Sequence, residues 1–144
     1  MAMKSLLPIS LLTAATLILS GGAAPKNAYP ISIPEGVQTI DVTAKKYEFA
    51  PSTIRVKQGT RVQLKIRAID HTHGFKISEM PDGVDTKGNP GLVFASAQDC
   101  TKIEEGKSET VEFLAQTSGR YPFRCCVHCG WHHRGMKGEL IVEP

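Results

Sequence analysis

The chain reads as an all-β sandwich of about seven or eight strands. Three observations lead there: short runs in which apolar and polar residues alternate, turn chemistry between those runs, and no stretch beyond the N-terminus with a convincing helical period. Its 144 residues suffice for one domain with a real core and are too few for two.

The first segment, residues 1–24, carries a single Lys4, an apolar run from Leu6 to Leu19 broken by Pro8 and Ser10, and then Ser20-Gly21-Gly22-Ala23-Ala24. This is the layout of a cleaved secretory signal, because the run is shorter than the roughly 18 residues that argue for a membrane span. The expected location is therefore periplasmic or secreted, with no stable membrane span after cleavage. Residues 25–36, with three prolines and with Ile31 and Ile33 alternating, read as an extended arm leading into a domain at 37–144.

Within that domain Ile40, Val42 and Ala44 alternate with polar neighbours, as do Ile54 and Val56. Val62, Leu64 and Ile66 form the cleanest half-buried strand, each offering one face to a core. Val111, Phe113 and Ala115 repeat the pattern, followed by Tyr121, Phe123 and Cys125, and then by Leu140 and Val142. Turns are expected at Lys57-Gln58-Gly59, Met80-Pro81-Asp82-Gly83, Lys87-Gly88-Asn89-Pro90-Gly91, Glu105-Gly106-Lys107 and Ser118-Gly119. Strands joined by tight turns predict antiparallel sheets, and the irregular stretch from Pro81 to Thr101 is expected to be a long loop with a short helix. The formal net charge of +3 is too small to argue for nucleic acid or an anionic membrane as partner.

The chemistry gathers near the C-terminus. Residues 125–136 hold three of the four cysteines and three of the five histidines, together with Met136. Thiolate, imidazole and thioether suit soft or borderline transition metals, and a Met in register with Cys125-x3-Cys129-x3-His133-x2-Met136 points to copper. Zinc uses Cys and His as well, but its structural sites draw on separated pairs such as C-x2-C. A further ligand must come from elsewhere, and the segment Asp70-His71-Thr72-His73-Gly74-Phe75 supplies two histidines that could face the site.

Alternation along the strand sets Tyr121, Phe123 and Cys125 on one face, with Cys126 on the other. A mononuclear blue-copper site uses one Cys, two His and a weak Met, so a second inward thiolate is redundant there.

The loop resembles the CuA loop of cytochrome c oxidase subunit II and nitrous oxide reductase. Asp-x-x-His followed by a small residue and an aromatic is similar to that family's upstream histidine motif, and Tyr47 to Gly59 resembles an early-strand motif of cupredoxins. The resemblance implies a cupredoxin-like Greek-key β-sandwich and a binuclear copper centre. In it Cys125 and Cys129 would bridge two coppers, and His73 and His133 would each bind one. Met136 would be a weak ligand, and the carbonyl of Val127, where the family usually has Glu, would complete the set. It favours His73 over His71 and gives no place to His128 or His132, which read as loop residues. Trp131 is expected to pack on the loop.

The function so implied is single-electron transfer with a redox protein partner such as a cytochrome or another cupredoxin, and not catalysis. Subunit II needs a transmembrane hairpin and this chain offers at most one apolar segment, so a free-standing soluble relative is expected. The same residues are compatible with a periplasmic copper-binding or delivery protein, and with a mononuclear blue or red cupredoxin. Cys100 and Cys126 are left over and could pair as a disulfide if their Cα atoms come within about 7 Å. Lys76, Arg124, Arg134 and Lys137 lie near the expected ligands in sequence, a basic rim suited to an acidic partner.

Overall fold

The computed structural model describes residues 36–84 and 88–144, with the His133 side chain also outside the described set. The expected signal, and all but the last residue of the expected arm, lie outside these residues. The described chain forms ten strands and one short 3-10 turn. The strands are β1 Val37–Lys45, β2 Glu48–Ala50, β3 Thr53–Lys57, β4 Arg61–Ala68, β5 His73–Ile77, β6 Leu92–Phe94, β7 Thr101–Ile103, β8 Ser108–Ala115, β9 Gly119–Arg124 and β10 Lys137–Glu143. Six of these strands, β1, β3, β4, β8, β9 and β10, are the alternating runs legible in the sequence; the three-residue strands β2, β6 and β7 and the site strand β5 raise the number to ten, above the expected seven or eight.

They make two five-stranded sheets, ordered β2-β1-β4-β8-β6 and β3-β10-β9-β5-β7. Alternation decides what lies between them. Val62, Leu64, Ile66 and Ala68 of β4 are buried while Arg61, Lys65 and Arg67 are exposed, and β8 repeats this with Val111, Phe113 and Ala115. The second sheet answers with Ile54, Val56, Phe75, Ile77, Tyr121, Phe123, Leu140 and Val142. Each buried Val, Leu, Ile or Phe among them contributes about 1.5–3 kcal/mol, so the core between the sheets is the main stabilising term.

The expected turns are present at Gly59 and Gly106, with φ of 84° and 74°. Only glycine takes that left-handed conformation without steric cost. Each turn closes with a backbone bond, Thr60 N–H to Lys57 O at 3.2 Å and Lys107 N–H to Glu104 O at 2.9 Å.

The expectation of purely antiparallel sheets is corrected in two places: β1 runs parallel to β4, and β3 parallel to β10. After β2 the chain crosses to the second sheet as β3, so β4 returns beside β1 in the same direction. Pro81–Thr101 is corrected as well. Among its described residues there is no helix, and Leu92–Phe94 instead pairs with β8 as a sheet edge. Among the described residues no helix is long and apolar enough to cross a membrane.

Candidate metal centre

Two neighbouring strands of the second sheet aim the site. On β5, His73, Phe75 and Ile77 share the inward face; on β9, Tyr121 and Phe123 do so, and Cys125 continues the alternation just past the strand end. Phe75 and Phe123 pack with Phe49 as an aromatic trio, with ring centroids 5.2–5.7 Å apart. Phe49 meets both rings edge to face and Phe75 is tilted against Phe123, offset and edge-on geometries that aromatic rings prefer. His73 and Cys125 stand one inward position beyond the trio, on a fixed base.

One imidazole nitrogen of His73 and the sulfurs of Cys125 and Cys129 lie within 4.8 Å of one another, and all three residues are buried. The two sulfurs are 3.5 Å apart and not disulfide-bonded. Cys129 Sγ is 3.9 Å from Sδ of fully buried Met136, and Cys125 Sγ is 3.3 Å from the carbonyl of Val127. The loop is closed by Cys125 N–H donating to Met136 O at 2.9 Å. Five of the six expected ligand positions thus converge. The sixth, His133, opens the 3-10 turn His133–Gly135, and its side chain is outside the described set.

Asp70 orients His73. Its Oδ1 lies 2.9 Å from His73 Nε2, and its Oδ2 accepts a 2.8 Å bond from the Lys46 backbone N–H. With Nε2–H donating to the carboxylate, Nδ1 carries the lone pair. That Nδ1 is buried with no hydrogen-bond partner among the described residues. An unsatisfied buried polar atom costs about 1–3 kcal/mol, and a cation beside the thiols would satisfy it. The donor set therefore fits a soft or borderline transition metal. Burial and the neighbouring Cys125 thiol push the Cys129 thiol up to about 11. Desolvation of Asp70 works upward, but the Lys46 N–H and His73 outweigh it and hold the carboxyl below its ordinary value.

Cys126 takes the opposite face, as alternation requires, and bonds to Cys100 with Cα atoms 5.9 Å apart. The bond ties the residue after Cys125 to the segment leading into β7. Gly74 lies beneath this junction: its N–H donates to Cys125 Sγ at 3.4 Å, and a Cβ there would fall 2.7 Å from Cys126 Sγ and 2.8 Å from Val127 N. Only glycine fits at that point without a shift of its neighbours.

His71 is exposed, with its ring 6.3 Å from that of His73. His128 and His132 are exposed on the loop. The expectation that Trp131 packs is corrected, for it is 98% exposed. Cys129 and Met136 turn inward and Tyr47 packs on Gly130 and His132, its ring centroid 5.2 Å from that of His132. Trp131, between these anchors, faces solvent. Tyr47 and the bridging part played by Asp70 were not read from the sequence. An Asp three residues before a ligand histidine is a usable signal for the latter, whereas the contact of Tyr47 with residues over 80 positions away has no local signature.

Comparison with known proteins agrees with this architecture. The cupredoxin-like domain family matches residues 9–142. Cytochrome c oxidase subunit 2 of Thermus thermophilus is 26% identical over 105 residues, covering 73% of this chain and 65% of that one. For a second subunit 2 from the same species the matched share is 52%, so the chain spans between half and two-thirds of these curated relatives. Among solved structures, auracyanin A, a blue copper protein of Chloroflexus aurantiacus, aligns with TM-score 0.57 at 17% identity over 75% of this chain and 100% of that one. The periplasmic domain of subunit II of cytochrome oxidase from Bradyrhizobium japonicum aligns with TM-score 0.56 at 14% identity over 77% and 87%. At these identities the structural likeness speaks for the fold. The chain belongs to the cupredoxin-like domain family and is homologous to cytochrome c oxidase subunit II.

Proposed function

We propose that this protein is an exported copper electron carrier whose C-terminal loop and His73 hold a binuclear, CuA-like centre. The observation that carries the reading is the pair of buried sulfurs, Cys125 and Cys129, 3.5 Å apart and both within 4.8 Å of an imidazole nitrogen of His73. A mononuclear blue site has use for one thiolate, and here two face the same space.

In this reading the thiolates of Cys125 and Cys129, the imidazoles of His73 and His133, the Met136 thioether and the Val127 carbonyl would hold the copper. Copper held there would supply a one-electron couple. The chain's own contribution is to exclude water and to keep the donors still. Asp70 fixes the His73 ring, the disulfide fixes the residue after Cys125, and the Cys125–Met136 backbone bond closes the loop. Donors that move little between two charge states keep the reorganisation cost of electron transfer low. The partner is a redox protein such as a cytochrome or another cupredoxin, met in the periplasm or outside the cell. We assign the chain no catalysis of its own.

The test is to load the purified protein with copper, count metal per chain, and record its electron paramagnetic resonance and visible spectra. Two coppers per chain with hyperfine splitting from an electron shared over both nuclei is the expected result. One copper with splitting from a single nucleus would overturn it and return the site to a mononuclear cupredoxin or a copper carrier. Cys125→Ser and Cys129→Ser, made singly, should each abolish the shared-electron spectrum.

A further inference from the structure

We propose that the outer face of the second sheet, at the end next to the metal loop, is a basic docking site for an acidic redox protein. The redox character of the partner rests on the electron-carrier reading above; the charge and place of the site do not.

Strands β5, β9 and β10 are adjacent, and their register sets Lys76 opposite Arg124 and Arg124 opposite Lys137. Three cations therefore form one row across three strands. Directly opposed residues of like charge on neighbouring strands destabilise a sheet, so this row carries a cost within the isolated chain. Arg134, from the 3-10 turn, joins the same three residues around a cavity of about 360 Å³, which is also lined by Pro122 and Phe123.

Elsewhere on this sheet the outward charges are answered. Arg120 of β9 is bound to Glu139 of β10, and Arg55 and Lys57 of β3 both meet Glu143 of β10. The pattern stops at the metal end. Lys76 has Asp99 at 2.8 Å, an acid that is itself 94% exposed. Arg124, Arg134 and Lys137 enter no ion pair among the described residues. A row in which two of the three cations, with Arg134 beside them, meet no acid is what an acidic surface would complete.

Chain position couples the row to the site. Arg124 directly precedes Cys125, Lys137 directly follows Met136, Arg134 follows His133, and Lys76 is three residues past His73. An acidic group seated in the cavity thus lies within a residue or so of the loop that holds the thiols. The outer Cα positions of the row are about 10 Å apart, two interstrand spacings. That spread matches several carboxylates on a protein surface better than one small anion. Complementary charge of this sort raises association rates and makes them salt-dependent.

The test has a binding arm that needs no copper. A Glu-rich peptide is titrated into the 15N-labelled metal-free full chain, with inorganic phosphate as a second titrant. The expected result is peptide-induced amide shifts concentrated at residues 76, 124, 134 and 137, lost in Lys76→Glu/Arg124→Glu/Lys137→Glu and kept in Lys65→Glu, which reverses a charge on the other sheet. The Gln versions replace the Glu ones if the triple reversal does not fold. Shifts scattered over all lysines, or a response to phosphate equal to that to peptide, would overturn the proposal. In a kinetic arm the copper-loaded protein is mixed with an acidic and a basic c-type cytochrome. The acidic one should react faster at low salt, with the rate falling at least about tenfold in the triple variant; equal rates would also overturn it. If the copper count shows a mononuclear site while the peptide still maps to these four residues, the CuA-like reading falls and this one stands.

Discussion

Asp70 Oδ1 sits 2.9 Å from His73 Nε2, and through its other oxygen the same carboxylate is held by the backbone of Lys46. A turn between β1 and β2 thereby fixes the ring of a histidine more than 25 positions later, whose opposite nitrogen is buried with no hydrogen-bond partner among the described residues.

Removing that support should weaken metal binding while leaving the fold intact. For Asp70→Ala we expect a loss of copper affinity of about 10- to 100-fold, read by competition against a chelator of known affinity. Asp70→Asn, which still accepts a hydrogen bond, should recover part of it. An unchanged affinity in Asp70→Ala would remove Asp70 from any supporting role.

Gly74 underlies the loop so closely that a methyl group has nowhere to go, since its neighbours are a disulfide sulfur and a backbone nitrogen. Gly74→Ala should destabilise the protein by about 1–3 kcal/mol, seen as a lower urea midpoint, and should disturb the visible spectrum of the copper-loaded form. Gly36→Ala, where a Cβ meets nothing within 4 Å, is the matched control.

The Cys129 thiol, raised to about 11 from an ordinary value of 9.0, gives the metal-free protein a defined pH dependence. A raised folded-state value favours the neutral form on folding. Its contribution is complete below pH 9 and is lost as pH climbs through 11. Urea midpoints of the metal-free protein should fall over that window, and Cys129→Ser should flatten the fall. Copper must displace this proton to bind, so loading in weak buffer should release acid, and apparent affinity should decline as pH drops.

The Cys100–Cys126 bond closes a loop with a sequence separation of 26. Loop-closure entropy puts its worth at about 3 kcal/mol. Replacing both cysteines with serine should lower stability by that order, measured by denaturant unfolding. Because Cys126 adjoins Cys125, the variant should also exchange copper faster with a chelator. Equal exchange rates would show that the bond holds the fold and not the loop.

What the sequence determined by itself was whatever has a short period or a short spacing. Alternation in β1, β4, β8 and β9 placed the core and turned Cys125 inward and Cys126 outward, because a strand's side chains can point only two ways. The spacing of Cys125, Cys129, His133 and Met136 named the loop, and its likeness to CuA loops picked out His73. Tertiary structure decided what depends on bringing distant segments together. The parallel pairings of β1 with β4 and of β3 with β10, the Cys100–Cys126 bond, the Lys46–Asp70–His73 bridge and the seat of Tyr47 on Gly130 all join residues whose separation leaves no local trace. Trp131 shows the same limit, since its apolar character argued for burial and its place between two inward anchors turned it to water. The cations at 76, 124, 134 and 137 were visible as residues near the loop, but only strand register made them one row.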